Sequence, residues 1–511
     1  MELEFETRPL SFLRQCVRGI CRQEQTQDVI VSDTSPDATE VVYCCAQAVV
    51  RSKTCRDGSI ELTGGVQASA LYLTEQDSEP RKLEAYLPFM LRLDNPEITE
   101  QTQVIFDCRV CSAEARLVNS RKILFRAEVA AQLCGYLPQE CRIALLTETP
   151  QQLQLHCRSY PLLCRTETAE KSFLVSDDSQ ISGSAAAESG NAAAVQLVSA
   201  TVMPVITEQR IVGSKAVFKG TLAVRILYIG SDGALYTAVP QLPFSQYCQL
   251  AGDYDDDPLT VGLTVTGCDV QLQSDSSGIT ALISVDLLAQ CIVSQQTTLP
   301  FCDDAFATSG TLNPEWSDYC FDCRLDRQAL RLPLRESLRC EGIQRVLDTA
   351  ILPGFARAER CETGVKVSVP VGIRVLGYDG NGKLVGASGS AQVETTVCAA
   401  DSTELQVSVL PIQDLYVSAG DGAAEVRCEI YLDTETNARE CLRSLSGGTL
   451  DPADQSAAQR PSVIVKAVPA AVSVWEVAKQ YSTSICALCD ANQISGEEIE
   501  AGTMLLIPIE S

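Results

Sequence analysis

The fold of this chain is best predicted from one short run, Val66-Gln-Ala-Ser-Ala-Leu-Tyr-Leu73, because the same pattern returns twice further along. It recurs as Leu222-Ala-Val-Arg-Ile-Leu-Tyr-Ile229 and again as Val371-Gly-Ile-Arg-Val-Leu-Gly-Tyr378. The first two copies are each followed, at nearly the same distance, by a Leu-Pro-Phe element, Leu87-Pro-Phe89 and Leu242-Pro-Phe244. Recurrence at a period of about 150 residues indicates an internally repeated chain.

Each copy also contains a turn after the recurring run and a further strand-like segment later on. The turns are Glu75–Glu79, Ser231-Asp-Gly233 and Asp379-Gly-Asn-Gly382, and the later segments are Ile123–Leu133, Ala281–Ala289 and Glu425–Leu432. Short apolar runs separated by turn signals are typical of an all-β chain. We therefore predict a mainly β fold of three diverged repeats, sandwich- or barrel-like, at residues 1–165, 166–310 and 311–445.

Two segments of small and polar residues predict linkers. Ser182–Ala194 is rich in Ser, Gly and Ala, and residues 446–462 are rich in Gly, Asp, Ala and Pro. The third repeat lacks the Leu-Pro-Phe element, and the mixed periodicity of Leu332–Leu352 predicts a partly helical lead-in to it. Residues 463–511 are predicted to form a separate small module.

The C-terminal module has the pattern of a strand, two helices and a strand. Ser473, with a Glu three residues later, is a capping-box signal for a helix start. Apolar residues then recur at helical spacing from Val474 to Tyr481 and from Ile485 to Asn492. The flanking segments Val463–Val465 and Met504–Ile507 are typical of short strands. These features predict a small α+β (βααβ) module.

The module resembles the LysM family on Val474-Trp475-Glu-Val-Ala-Lys-Gln-Tyr481, Ile499-Glu-Ala-Gly502 and Leu505-Leu-Ile-Pro508. LysM modules usually bind N-acetylglucosamine polymers in a shallow groove between two loops. The resemblance implies the groove candidates Ala470, Ala471, Val472, Ser473, Asn492, Gln493, Ile494 and Gly496. It implies as structural residues Trp475, Ala478, Tyr481, Ile485, Leu488, Leu505 and Pro508. The family usually has Gly-Asp where this chain has Ala471-Val472, so the groove loses a charged group and a protein ligand becomes more plausible than a sugar.

Composition limits the classes of partner and the location. Lys+Arg total 40 and Asp+Glu total 66, a net charge of −26. A chain this acidic repels phosphate backbones and anionic membranes, so nucleic acid is not an expected partner. The acidic start Met1–Glu6 lacks the apolar core of a secretory signal, and no stretch reaches the ~20 apolar residues of a membrane span. We expect a cytoplasmic protein without membrane insertion, its 24 Cys being reduced thiols.

Catalytic and metal-binding constellations are not apparent, so we expect no enzyme activity, cofactor or metal. His156 is the single histidine. Three cysteine pairs have metal-like spacing but lie too far apart in sequence to form a four-cysteine site; they are Cys108/Cys111, Cys320/Cys323 and Cys486/Cys489. Gly377–Leu384 resembles a phosphate-binding loop, but Leu384 replaces the Ser/Thr that would hold magnesium. Asp253–Pro258 lacks the Gly and Glu of a calcium loop.

The repeats resemble the SPOCS family of endospore-forming Firmicutes, in which SPOCS repeats precede LysM. The resemblance rests on Val29-Ile-Val-Ser-Asp-Thr-Ser-Pro-Asp37, Asn119-Ser-Arg-Lys-Ile123, Phe173-Leu-Val-Ser-Asp177 and Gly220-Thr-Leu-Ala-Val-Arg-Ile-Leu-Tyr228. It implies a structural adaptor in spore-coat morphogenesis, acting in the mother-cell cytoplasm at the forespore surface. The implied partner is the coat-morphogenetic ATPase, with self-association as a further option. Peptidoglycan- or chitin-type glycan binding at the wall is the alternative that stays open.

Overall fold

The structure is a computed structural model, and it describes residues 1–75, 79–181, 195–275, 278–420, 422–452 and 461–509. Strands dominate, and the two helices of this part of the chain lie near the C-terminus. The prediction of a mainly β fold followed by a small α+β module is confirmed. Neither of these two helices has the length and hydropathy of a membrane span.

The first copy is built from two antiparallel sheets of three strands each. Its strands are β1 (Phe5–Ile30), β2 (Ala38–Arg56), β3 (Ser59–Thr74), β4 (Arg81–Asp94), β5 (Gln103–Asn119) and β6 (Lys122–Leu146). One sheet has the order β1-β6-β5 and the other β2-β3-β4. Their facing sides form one aliphatic core, in which Ile60, Leu62 and Phe125 are fully buried.

The second copy repeats this topology with one split strand, and the third repeats it with two. The second contains β7 (Leu153–Ile181), β8 (Gln196–Val212), β9 (Lys215–Ile229), β10 (Leu235–Ala238), β11 (Gln241–Gln249), β12 (Leu259–Asp275) and β13 (Gly278–Ala307). The third contains β14 (Thr311–Arg339), β15 (Ile343–Pro353), β16 (Arg357–Cys361), β17 (Gly364–Asp379), β18 (Leu384–Val397), β19 (Glu404–Val409), β20 (Gln413–Gly420) and β21 (Ala423–Asp451). The central strands β9 and β17 correspond to β3, and the pairs β7–β13 and β14–β21 correspond to β1–β6.

The Leu-Pro-Phe element lies on edge strands β4 and β11, where proline removes no ladder hydrogen bond from a central strand. Each Phe covers a glycine of the neighbouring central strand. A Cβ on Gly64 would lie 2.6 Å from the Phe89 ring, and one on Gly220 would lie 2.8 Å from the Phe244 ring. The element therefore packs an aromatic ring against bare backbone at the same point of both copies.

The longest strand pair of each copy extends beyond its sandwich as a two-stranded arm. The first arm is residues 5–15 with 137–146, the second 153–164 with 295–307, and the third 311–324 with 437–451. The three arms pack together around Phe321, whose ring centroid lies 5.5 Å from that of Phe12 and 6.2 Å from that of Phe301. Met1 closes the end of the bundle, since its ammonium group donates to the Leu450 carbonyl (2.8 Å).

Two disulfides cross the strands of the second and third arms, and they contradict the expectation that all cysteines are thiols. Cys157 is bonded to Cys302, and Cys320 to Cys441. The prediction failed because each pair is separated by more than a hundred residues in sequence, and only the pairing of β7 with β13 and of β14 with β21 brings them side by side.

The recurring run of the sequence is where the three copies meet. Its sixth residue, Leu71, Leu227 or Leu376, is buried in one shared cluster. Its fourth residue donates a hydrogen bond to the next copy in a closed cycle. These bonds run from Ser69 Oγ to the Val198 carbonyl (2.7 Å), from Arg225 to the Asp348 carboxylate (2.6 Å) and from Arg374 to the Cys44 carbonyl (2.6 Å). The copies therefore surround a pseudo-threefold axis.

Several predicted segments differ in the structure. Leu332–Leu352 contains no helix, because it belongs to β14 and β15. The predicted boundary at 165/166 falls inside β7, and that at 445/446 falls inside β21, because both strands continue into the arms. The predicted linker 446–462 is thus strand as far as Asp451, and the predicted linker Ser182–Ala194 lies outside the described residues.

The C-terminal module consists of β22 (Val463–Ala467), β23 (Val472–Ser473), α1 (Val474–Tyr481), α2 (Ile485–Asn492), β24 (Glu498–Ile499) and β25 (Met504–Pro508). β22 pairs with β25 and β23 with β24, both antiparallel. The module sits at the end of the second arm.

Candidate binding site in the C-terminal module

Side-chain caps fix both helices of the module. Ser473 Oγ accepts from the Glu476 backbone N–H (3.1 Å) and starts α1, as the capping-box signal predicts. Ser484 Oγ accepts from the Ala487 N–H (3.2 Å) and starts α2 in the same way. Both helices end on a residue in the left-handed region, the second on Gln493. The caps set the two turns that flank the predicted groove.

Most of the predicted structural residues form the core of the module. Ala478, Leu488 and Leu505 are fully buried in one cluster. Tyr481 and Ile485 are half-buried against that cluster, and Pro508, also half-buried, ends β25. An aliphatic core of this size gives the module a fixed shape without a disulfide among its residues 461–509.

The structure brings the two predicted groove loops next to each other. Val472 pairs with Ile499, and the Val474 N–H donates to the Glu497 carbonyl (2.8 Å), so the two loops are joined at their base. Ala470, Ala471, Gln493 and Gly496 are exposed, whereas Val472, Ser473 and Ile494 are half-buried. The exposed predicted residues carry no charge, although Glu497 and Glu498 beside them are exposed carboxylates that the prediction did not include.

The side chain of Asn492 is used inside the module. Its amide nitrogen donates to the Leu488 carbonyl (2.8 Å) and the Leu506 carbonyl (2.6 Å), and its oxygen accepts from the Leu506 N–H (2.7 Å). These bonds join α2 to β25. Asn492 therefore holds the shape of its loop, and this amide is not free to bind a ligand.

Trp475, predicted as a structural residue of the module, also packs on the second arm. Its ring lies 5.0 Å from the Phe306 ring and 5.0 Å from the His156 ring, measured between centroids. Its indole Nε1 donates to Asp304 (2.8 Å). Trp475 therefore fixes the module to the scaffold.

Asp304 is the polar centre of this contact. Besides the indole, its two carboxylate oxygens accept from Lys479 Nζ (2.6 and 2.7 Å). Partial burial raises the pKa of Asp304, but the hydrogen bonds from Lys479 and Trp475 outweigh this and place the pKa below its usual range. Gln154 adds a bond to the Ile485 N–H (3.3 Å). We call Gln154, His156, Asp304 and Phe306 the seat of the module.

The sequence contained a signal for the seat on the module side. Trp475 and Lys479 are four residues apart, so they share a helical face that is not the face of the buried Val474, Val477 and Ala478. An exposed Trp on such a face indicates an interface. The partner side, on β7 and β13, carries no comparable signal, because its residues meet only through strand pairing.

A second exposed apolar surface lies on the sheet of the module. Val463 and Val465 of β22 and Met504 and Leu506 of β25 are each about half exposed, at 53, 59, 62 and 47 %. Val465 is the register partner of Leu506 and Ala467 of Met504, so these side chains form one face. We call these four residues the sheet face.

The other motifs that the sequence offered as candidates for binding or catalysis have structural roles. Gly377–Leu384 is the β17–β18 hairpin turn, in which Asp379 accepts from the Lys383 N–H (2.8 Å). His156 Nδ1 lies 2.5 Å from Asp303. Among the residues that the structure describes, no group of three or more His, Cys, Asp or Glu side chains is placed to hold a metal ion.

Comparison with known families identifies two parts of the chain. Residues 194–273 match the family described as SipL, SPOCS domain, and residues 473–508 match the LysM domain family. The first match covers β8 to β11 and most of β12, without the long strands β7 and β13 of the second copy, and the second runs from Ser473 at the end of β23 to Pro508 at the end of β25. No curated protein and no solved structure matches the chain. The resemblance of these two parts of the chain to SPOCS and LysM is thereby confirmed, and together they point to a sporulation-related protein.

Proposed function

We propose that this chain is a non-enzymatic structural adaptor in endospore coat assembly. Its LysM domain recruits a protein partner, and its three β copies hold that domain in a set position. By the family resemblance, the partner is the coat-morphogenetic ATPase of the forespore surface, and the place of action is the mother-cell cytoplasm.

The observation that carries the proposal is the seat of the LysM domain. Trp475 and Lys479 anchor α1 to Asp304 on the rigid second arm. A module held in this way presents its loops and its sheet face at a constant distance from the scaffold. Pre-organisation of this kind lowers the entropic cost of binding to a large partner.

A protein ligand suits the exposed surfaces better than a glycan does. Three of the four exposed groove residues, Ala470, Ala471 and Gly496, offer no side-chain hydrogen bonds. The fourth, Gln493, has a polar side chain, but the amide of Asn492 is engaged. The nearby sheet face is apolar. Exposed apolar patches mark protein interfaces more often than sugar sites, which require placed polar groups.

The three copies support the scaffold role. Their cores are joined by the Ser69, Arg225 and Arg374 cycle and by the packed arms. Several strands at the borders of the sheets, among them β4, β11 and β18, pair with a neighbour on one side and have one unpaired edge each. Such edges are suited to self-association by strand addition, although charges and proline on them oppose it.

The test is capture of the purified coat ATPase by the full-length chain and by three single variants. Ala471→Arg places a bulky charge in the groove, Val465→Arg places one on the sheet face, and Gln480→Arg is a control on an exposed position of α1. We expect at least one of the first two variants to lose at least about tenfold in affinity, which is 1.4 kcal/mol. The control should bind like the parent chain.

Unchanged capture by both surface variants would contradict the proposal that the LysM domain is the contact. Glycan binding is the second candidate, because the LysM family match itself favours it. It is tested by sedimenting the full-length chain with purified peptidoglycan. Cosedimentation that Ala471→Arg abolishes, together with no ATPase capture, would replace the adaptor role with the wall-binding role.

A further inference from the structure

Two buried thiols from different copies face each other where the second and third arms separate. Cys164 of β7 and Cys323 of β14 are the single register partners that join these two strands. Their sulfur atoms are 3.7 Å apart, and the two residues are 5 and 2 % exposed. Partners across an antiparallel ladder have Cα atoms about 4.5–5.5 Å apart, within the range that a disulfide bridges.

A groove leads to Cys323, and the sulfur of Cys164 lies 3.7 Å from the Cys323 sulfur. Its volume is about 440 Å³, and its walls come from Tyr160 to Leu163 of the second arm and from Cys323 to Leu325 of the third. Leu325, at the wall, is 52 % exposed. A small polar reagent can therefore approach Cys323 from solvent although the thiol itself is covered.

We propose that Cys164 and Cys323 are an oxidation site at which a peroxide forms a disulfide that joins the second copy to the third. The Cys164 thiolate attacks one peroxide oxygen, the O–O bond breaks, and the thiolate becomes a sulfenic acid; the departing hydroxide takes up the proton that the thiol released and leaves as water. The Cys323 thiol then attacks the sulfenic sulfur and releases a second water. In total, two thiols lose two electrons and two protons, and hydrogen peroxide is reduced to two waters.

The surroundings of the pair favour this order of steps. The Cys323 thiol donates a hydrogen bond that lowers the pKa of Cys164, while burial works against that effect. The same hydrogen bond and burial raise the pKa of Cys323, so Cys164 is the first thiol to ionise. To form the bond, the sulfur atoms must approach from 3.7 Å to the ~2.05 Å of a disulfide, a movement within reach of side-chain rotation.

A second buried pair provides an internal control. Cys248 and Cys291 hydrogen-bond to each other inside the sandwich of the second copy, and both are fully buried. Neither residue lines the groove. If access through the groove decides reactivity, this pair stays reduced under conditions that oxidise Cys164 and Cys323.

The experiment exposes the full-length chain to hydrogen peroxide, then denatures and alkylates it without reduction. Cleavage after Arg158 and after Asp322 separates Cys164 from Cys157 and Cys323 from Cys320, so mass spectrometry can assign the link. We expect the Cys164–Cys323 peptide to appear while Cys248 and Cys291 are recovered alkylated. In Cys164→Ser, that peptide should be lost, and Cys323 should be recovered alkylated.

Two results would overturn the proposal. One is full alkylation of Cys164 and Cys323 after a dose of peroxide that has oxidised the exposed Cys361. The other is equal oxidation of the Cys248/Cys291 pair, since access would then not be the deciding factor. Should Cys164→Ser fail to fold, the relative rates of the two pairs in the unmodified chain still decide the question.

Discussion

Replacing Asp304 with Ala should release the LysM domain from its seat while leaving both parts folded. The variant loses a hydrogen bond from the neutral indole of Trp475 to a carboxylate, worth about 1.5–3 kcal/mol. It also loses the ion pair with Lys479, which is partly exposed and contributes about 0.2–1 kcal/mol. The expected loss of docking free energy is about 2–4 kcal/mol, or roughly 30–700-fold in the docking equilibrium.

The remaining contacts are too few to hold the domain in place. The contacts of the Trp475 ring with the Phe306 and His156 rings add about 0.5–1.5 kcal/mol each to the docking free energy. The assay is the fluorescence of Trp475 in a Trp316→Phe background, which leaves a single indole in the chain. We expect a red shift and faster acrylamide quenching in Asp304→Ala, with the denaturation midpoint of the β copies unchanged.

Acid should have the same effect as the variant. The pKa of Asp304 is lower in the docked state than in the released state. The released state therefore binds more protons, so docking is fully favourable above the usual Asp pKa and is lost as pH falls through the lowered value. Asp303→Ala, which removes the neighbouring carboxylate without touching a hydrogen bond to the module, is the matched control. Unchanged Trp475 emission in Asp304→Ala would refute the seat as described.

Three further predictions address the copies. Asp348→Ala should lower the free energy of unfolding in urea by about 3–5 kcal/mol, because Arg225 and Tyr43 both lose the carboxylate that accepts their hydrogen bonds. Asp348→Asn should lower it by less, since the amide oxygen can still accept one of these bonds. Gly220→Ala should lower the free energy of unfolding by about 1–3 kcal/mol in the same assay, since its Cβ would lie 2.0 Å from a backbone oxygen. Gly262→Ala is the control: its Cβ would meet nothing within 4 Å, so this variant should be close to neutral. Iodoacetamide at pH 8 should label the exposed Cys361 well before Cys45. Hydrogen bonds from neighbouring groups lower the pKa of Cys361, whereas burial raises the pKa of Cys45 to about 12. Mass spectrometry after a short pulse of reagent gives the order of labelling.

The sequence was sufficient for the repeat and for the module, and the reason is that both are local patterns. The recurring run predicted the central strands β3, β9 and β17, and Ser473 predicted the start of α1. Near Leu332, apolar residues alternate with Arg331 and Pro333, which is the period of a strand. The prediction of a helix there was wrong, because this strand-like alternation has more influence on the local structure than the scarcity of glycine, which is compatible with a helix.

The arms and the seat could not be predicted, because both depend on contacts between distant segments. β7 looks continuous with the first copy in sequence, yet its residues 153–164 pair with residues 295–307. The same pairing places Asp304 and Phe306 beside Gln154 and His156. The two disulfides follow from that register as well, and the spacing of Cys320 and Cys323 within the sequence does not reveal that Cys320 is bonded to Cys441 while Cys323 faces Cys164.

Divergence of the copies is part of what holds them together. In a trimer of identical chains, one residue type would occur three times around the axis, and three buried carboxylates or three arginines would repel each other. Here the equivalent positions facing the axis, opposite Leu71, Leu227 and Leu376, are Tyr43, Ser199 and Asp348. The single carboxylate accepts from Tyr43 (2.7 Å) and from Arg225 (2.6 Å), so its charge is compensated within the junction. A fused chain can place one acid and two hydroxyls at these related positions, which three identical chains cannot do.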